Sequence, residues 1–322
     1  MDISTPYYED LSRISNSNIG WFLQKGPAYL HKMLTDPPPE EKNYVLERGS
    51  MIHMYLLQPE EFKETYVVWD KCRPSSAQQE KFCQELANTL EIEPNRAILS
   101  AYQAAYSIKG KSKETMLSEG LKIASTLEDY IDFLKLHDER TMISFYDAQM
   151  LEKIKQNVKN HKLAWDIIWS KELSAWHEFH INWECRGVQC KSLLDGLTLD
   201  FKNKKAIIYD LKTTQKLWHF EDSIDQYDYL RQLCYYKKAV LWYLENEHKE
   251  DPLTWDFEFY IIGIDTTGSH EIRVFYIDEY MINSRIAIIH DVLDEIAWHQ
   301  STGKWDHSRA YYEGDGSESL NL

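Results

Sequence analysis

Residues 194–214 read LDGLTLDFKNKKAIIYDLKTT, and the spacing of their apolar residues decides the fold. Two short apolar runs, 197–201 and 206–211, flank Lys202-Asn203-Lys204, the pattern of two strands joined by a tight turn. Alternate residues of a strand share a face. Asp210 and Lys212 therefore point the same way, Leu211 turns into the core, and Asp195 closes the preceding apolar run. An acidic residue two positions before a lysine is common, and Glu61-Phe62-Lys63 and Asp200-Phe201-Lys202 share the spacing. Only Asp210 follows an apolar strand, Ala206-Ile207-Ile208-Tyr209, whereas Lys202 falls in the turn. Two carboxylates and a lysine at strand ends are what metal-assisted phosphodiester hydrolysis requires.

Upstream, residues 175–183 alternate, with Trp176, Glu178, His180 and Asn182 on one face and His177, Phe179, Ile181 and Trp183 on the other. Glu184-Cys185-Arg186-Gly187 reads as a hairpin turn, and 188–194 as a returning strand that ends at Asp195. Downstream, a helix over 223–245 carries Tyr229, Gln232, Tyr236, Ala239 and Tyr243 as one stripe. The amide in that stripe needs hydrogen-bond partners if buried. A hairpin over 254–264 and 271–277, a helix over 280–299 and a polar tail over 301–322 complete the chain. Before all of these, residues 1–35 read as two short helices, and Pro37-Pro38-Pro39 breaks the chain. A helix over 43–57 then holds Gly49 and His53 on one face. Residues 70–145 read as a helical insertion within a single domain spanning 1–322. The expected fold is α/β, a central mixed β-sheet flanked by helices.

Composition narrows the function. A chain of 322 residues with 43% hydrophobic content buries a substantial core, and 13% aromatic content excludes disorder. No run approaches the ~18–20 apolar residues of a membrane helix, and no basic-then-apolar secretory signal opens the chain. Cys72, Cys83, Cys185, Cys190 and Cys234 are scattered without a CxxC pair, so a reduced cytoplasmic protein is expected. The net charge of −16 argues against a nucleic-acid coat protein. A local basic channel is compatible with it: Lys202, Lys204, Lys205, Lys212 and Lys216 crowd the quoted stretch, with Arg186, Lys191, Arg231, Lys237 and Lys238 near in sequence.

This order of elements and residues resembles the PD-(D/E)XK nuclease superfamily, in its RecE-like branch, typified by the C-terminal domain of exonuclease VIII. The matching pieces are Ile14-Ser15-Asn16-Ser17, Pro27-Ala28-Tyr29-Leu30, Gly49-Ser50-Met51-Ile52-His53, Leu57-Gln58-Pro59-Glu60-Glu61-Phe62, Glu178, Asp195, Asp210-Leu211-Lys212-Thr213-Thr214 and Gln232-Leu233 with Tyr236. Leu194 stands where the superfamily motif has proline. The resemblance implies a restriction-endonuclease-like core. It implies Mg²⁺, with Mn²⁺ as substitute, held by His53, Glu178, Asp195, Asp210 and the Leu211 carbonyl. Lys212 would orient or deprotonate the attacking water, Gln232 and Tyr236 would position DNA or brace the site, and Tyr229 and Lys216 would lie toward DNA. It implies exonucleolysis of linear double-stranded DNA from its ends, 5′ to 3′, by a homo-oligomeric ring beside a single-strand annealing protein, of the kind phages and prophages encode for recombination or repair. A restriction-type or structure-specific endonuclease and an inactive DNA-binding module are the alternatives. A RecB-like iron–sulfur variant needs cysteines near the C-terminus, and none follows Cys234.

Overall fold

The quoted stretch forms the middle of a five-stranded mixed sheet. In the computed structural model, which describes residues 6–39, 43–91, 93–169 and 174–317, the strands are Ser174–Cys185 (β1), Val188–Asp200 (β2), Lys205–Thr214 (β3), Asp256–Asp265 (β4) and Ile272–Ile277 (β5). They lie side by side in that order. Every neighbouring pair is antiparallel except β3 and β4, which run parallel. A parallel pair needs a long crossover. Here it contains the helix Tyr229–His248, called α3 after Asn16–Thr35 (α1) and Tyr44–Leu57 (α2). Leu199, Ile208, Phe259 and Ile261 of the sheet pack with Ile19 of α1, Leu233 and Val240 of α3, and Leu293 of Ile286–Thr302 (α4). The expected α/β architecture is present.

Local chemistry sets the helix ends. Ser15 caps α1 and exchanges hydrogen bonds with Asn18. Gly26, at φ 79°, leaves the helical conformation just before Pro27, so α1 is two helices joined across a kink, in keeping with the expected pair of short helices. The helix expected over 223–245 is broken into Phe220–Gln226 and α3. At the break Asp228 takes φ 46°, and its carboxylate accepts from the Arg231 N–H. After Ser301 the chain is not a plain polar tail. Trp305 is buried and stacks between His31 and His299, with ring centroids 5.1 and 5.0 Å away. Residues 318–322 lie outside the described residues.

Strand register differs from the expectation where it matters most. β2 does not end at Asp195 but continues to Asp200, placing the aspartate mid-strand. Nor does β1 alternate strictly. Trp176 and Phe179 pack against the same core, with ring centroids 5.3 Å apart. The cause is Glu178, whose φ of 48° reverses the pleat for one residue. Leu194 and Leu197 of β2, paired with Phe179 and Trp176, slip phase in step. Both strands thus change phase around one pair of acidic residues.

Gly196 allows β2 to continue. It lies opposite Tyr209, and a Cβ there would sit 1.9 Å from the tyrosine ring. Overpacking of buried sites costs roughly 1–3 kcal/mol, and this overlap belongs at the upper end. Gly196→Ala is expected to lower stability by about 3 kcal/mol in urea denaturation, with partial recovery on adding Tyr209→Val. A midpoint equal to wild type would contradict the contact.

The chain divides into two compact units, 1–59 with 150–322, and 60–149. The second exceeds the 70–145 expected for the insertion, because Pro59–Thr65 and the parallel pair Tyr66–Trp69 with Thr141–Ser144 lead into and out of it. Its helices enclose a core of their own, including Phe82, Ile98, Tyr102, Leu127 and Ile131.

Candidate active site

Adjacent strands and a helix bring three potential metal ligands together. Asp195, from the middle of β2, accepts a hydrogen bond from the Leu211 N–H of β3 at 2.6 Å. His53 enters from α2, with Nδ1 3.6 Å from Asp195 Oδ2. The Leu211 backbone also lies against the His53 ring and favours its charged form. Gly49, one turn before His53, lets α2 approach β3: a Cβ there would lie 3.2 Å from Thr213 Oγ1. Glu178 completes the group from β1, and one ligand atom from each of His53, Glu178 and Asp195 lies within 4.8 Å of the others.

Asp210 and Lys212 share a face, and the Lys212 ammonium forms a close ion pair with Asp210 Oδ2. Lys212 is thus the partner of Oδ2, an oxygen of a buried carboxylate. The other oxygen, Oδ1, accepts from Gln232 Nε2 at 3.0 Å. Gln232 Nε2 also donates to Tyr236 Oη at 2.8 Å. Of the two roles expected for them, positioning DNA or bracing the site, these contacts fit bracing: Gln232 is turned onto the carboxylate and buried Tyr236 onto Gln232. The Tyr229 ring lies under Lys212, its centroid 4.9 Å from Nζ, and Lys216 is exposed just beyond β3.

Burial dominates the electrostatics. It pushes Asp210 up to about 6 against the pull of Lys212, and it raises Asp195 as well. Burial and the Lys212 charge lower His53 to about 4, so its imidazole is neutral near pH 7. For Lys212, burial works against the charge, but Asp210 and Asp195 outweigh it and raise the ammonium's pKa. Carboxylate oxygens and a neutral imidazole gathered within 4.8 Å fit a hard divalent cation.

Residues 15–310 match the model of a PDDEXK-like domain of unknown function, DUF3799. The chain belongs to that family. A crystal structure from Eubacterium rectale, of a protein provisionally described as an exonuclease, shares the fold at a TM-score of 0.50 and 13% identity. The alignment covers 100% of this chain and 96% of the other. No curated protein matches the sequence.

In this PDDEXK-like domain most of the lysines and arginines near the motif are occupied elsewhere. Lys204, Lys205 and Lys237 pair with Glu250, Glu258 and Glu279. Arg186 pairs with Asp294, Lys191 donates to the carbonyls of Tyr7 and Asp10, and Arg231 donates to that of Asn16. Proximity in sequence did not place them at the site. Conversely, Tyr209 escaped the sequence reading. Its buried hydroxyl has no hydrogen-bond partner among the described residues, and burial with the nearby Asp195 and Glu178 raises its pKa well above the ordinary value. The signal was the Asp195-Gly196 pair opposite an aromatic strand residue.

The shifts of the PDDEXK-like site make a pH prediction for the metal-free protein. Asp210 is raised, so its contribution to stability is present below the ordinary carboxylate range and is lost as pH rises through about 6. His53 is lowered, so its contribution is present above its ordinary value and is lost as pH falls through about 4. The two oppose each other, and the wild-type denaturation midpoint is expected to stay nearly flat from pH 7 to 5. His53→Gln unmasks the carboxylate and gains on the order of 1–2 kcal/mol over the same interval. A variant whose stability falls on acidification would contradict the assignment. No helix among the described residues is long and apolar enough to cross a membrane.

Proposed function

We propose that this chain is a divalent-metal-dependent deoxyribonuclease that degrades linear DNA from its ends. The observation that carries the reading is His53, Glu178 and Asp195 converging beside the Asp210–Lys212 pair, within a PDDEXK-like fold. The provisional description of the E. rectale protein as an exonuclease supports it. His53, Glu178, Asp195 and Asp210 would hold the cation, Mg²⁺ or Mn²⁺, with the Leu211 carbonyl beside them. A cation bound there supplies Lewis-acid polarisation of the phosphate and acidifies water. Lys212, held as an ammonium by its carboxylate partners, donates hydrogen bonds to the nucleophile or the phosphate and offsets charge developing on the phosphorane. Orienting water suits that protonated state better than deprotonating it. Gln232 and Tyr236 fix the Asp210 carboxylate in place.

With Mg²⁺, purified protein is expected to release label from end-labelled linear duplex and to spare covalently closed circles. Cutting of closed circles would replace the exonuclease reading with the endonuclease one. The 5′-to-3′ polarity follows from which labelled end is released first. Light scattering tests the oligomeric ring, for which a strict monomer at micromolar concentration is the contrary result.

A further inference from the structure

Beside the carboxylates, the sheet carries an aromatic and cationic surface that the hydrolytic groups do not use. Lys212 of β3 lies opposite Gly263 of β4, and Gly263 lies opposite Arg273 of β5. Directly opposed residues share a face, so Arg273 stands about 10 Å from Lys212 at the usual strand spacing. Gly263 contributes no side chain, and Leu217 fills the room: its Cδ1 would lie 2.7 Å from a Cβ there. Leu217 opens the short turn Leu217–His219 after β3 and is buried, whereas its neighbour Trp218 is 71% exposed. The Arg273 guanidinium carbon lies 3.5 Å from the Trp218 ring centroid. Glu271 holds that guanidinium from 3.5 Å. One face of the indole is thus covered by a cation, while the residue as a whole stays exposed. Exposed Lys216 lies two residues earlier. On the other flank, Tyr229 beneath Lys212 stacks with Tyr227, which is 57% exposed, at 5.8 Å.

We propose that Trp218, backed by Arg273, is a stacking platform for an unpaired nucleobase next to the phosphodiester cleaved at the carboxylates. The domain then engages a single strand in preference to a blunt, fully paired duplex end. The inference rests on the nuclease reading and names the form of DNA that the site takes. A base inside a duplex stacks on both faces, and the last pair of a blunt end frees only its outer face, with the base still held by its partner. An unpaired base frees both faces and can turn to meet the indole, and stacking on an aromatic side chain is worth roughly five- to hundredfold in affinity per base. The guanidinium behind the ring adds to that attraction, and Lys216 brings positive charge for the adjoining phosphates. A chain of net charge −16 needs such a local cationic patch to hold a polyanion.

The test measures binding of fluorescein-labelled oligothymidine and of a blunt hairpin duplex to the full chain in chelator, with hydrolysis of both in Mg²⁺ assayed in parallel. Wild type is expected to bind the single strand more tightly. Trp218→Ala is expected to weaken single-strand binding about tenfold, and at least fivefold more than duplex binding, while Trp218→Phe keeps most of the affinity. Equal losses on the two DNAs, or none, in a protein that still hydrolyses DNA would overturn the platform alone. A wild type that neither binds nor cleaves either DNA would overturn the nuclease reading and the platform with it.

Discussion

Lys212→Ala is expected to slow phosphodiester hydrolysis by roughly a hundred- to a thousandfold, the usual cost of removing one preorganised donor from a charge-developing transition state. The side chain is positioned for that role, paired with Asp210 and supported from below by the Tyr229 ring. Its loss acts in two ways that can be separated. Catalysis loses a cation aimed at the phosphate, yet a divalent ion loses a competitor for Asp210 Oδ2. Cation affinity in Lys212→Ala should therefore be equal to or tighter than wild type while kcat collapses. Asp210→Asn gives the opposite pattern, weakening both affinity and rate. Circular dichroism separates either effect from unfolding, a needed control because removing one partner of a buried pair is destabilising. A near-wild-type rate in either variant would remove that residue from the site.

The second large effect is on metal binding. A ligand that binds only the folded state stabilises it by about 2.7 kcal/mol at a hundred times its Kd. Saturating Mn²⁺ is accordingly expected to raise the wild-type melting temperature by several degrees. Asp195→Asn should abolish the rise, because that carboxylate faces both His53 and the Leu211 peptide. His53→Ala should diminish it, leaving the carboxylates to bind alone. Affinity should also fall about tenfold per pH unit below about 6, where Asp210 takes up its proton. His53 stays neutral to about 4 and does not set that limit. An equal rise in all three proteins would place the cation elsewhere.

Much of this was legible because strand periodicity carries face information. The apolar run before Asp210 separated it from other acid-x-lysine tripeptides, and the shared face of Asp210 and Lys212 followed directly. The helix carrying Gly49 and His53 was readable from spacing alone, and Gln232 from the rule that a buried amide seeks partners. What the sequence hid depends on tertiary context. Glu178 in a left-handed conformation shifts the phase of β1, and nothing local requires a non-glycine residue to do so. Asp195 in mid-strand depends on a glycine facing a tyrosine across the ladder. Trp305 in the core and the lysines drawn into pairs with Glu250 and Glu258 are set by distant partners. Trp218 lay just past the motif, yet only the register through Gly263 to Arg273 gives it meaning.

Release of label from end-labelled linear DNA by the wild-type chain, in Mg²⁺ and in excess chelator, with Asp195→Asn in parallel, tests the metal-dependent site most directly. Release in Mg²⁺ by wild type alone, abolished by chelator, is the expected result. Release that persists in chelator, or equally in Asp195→Asn, would contradict it.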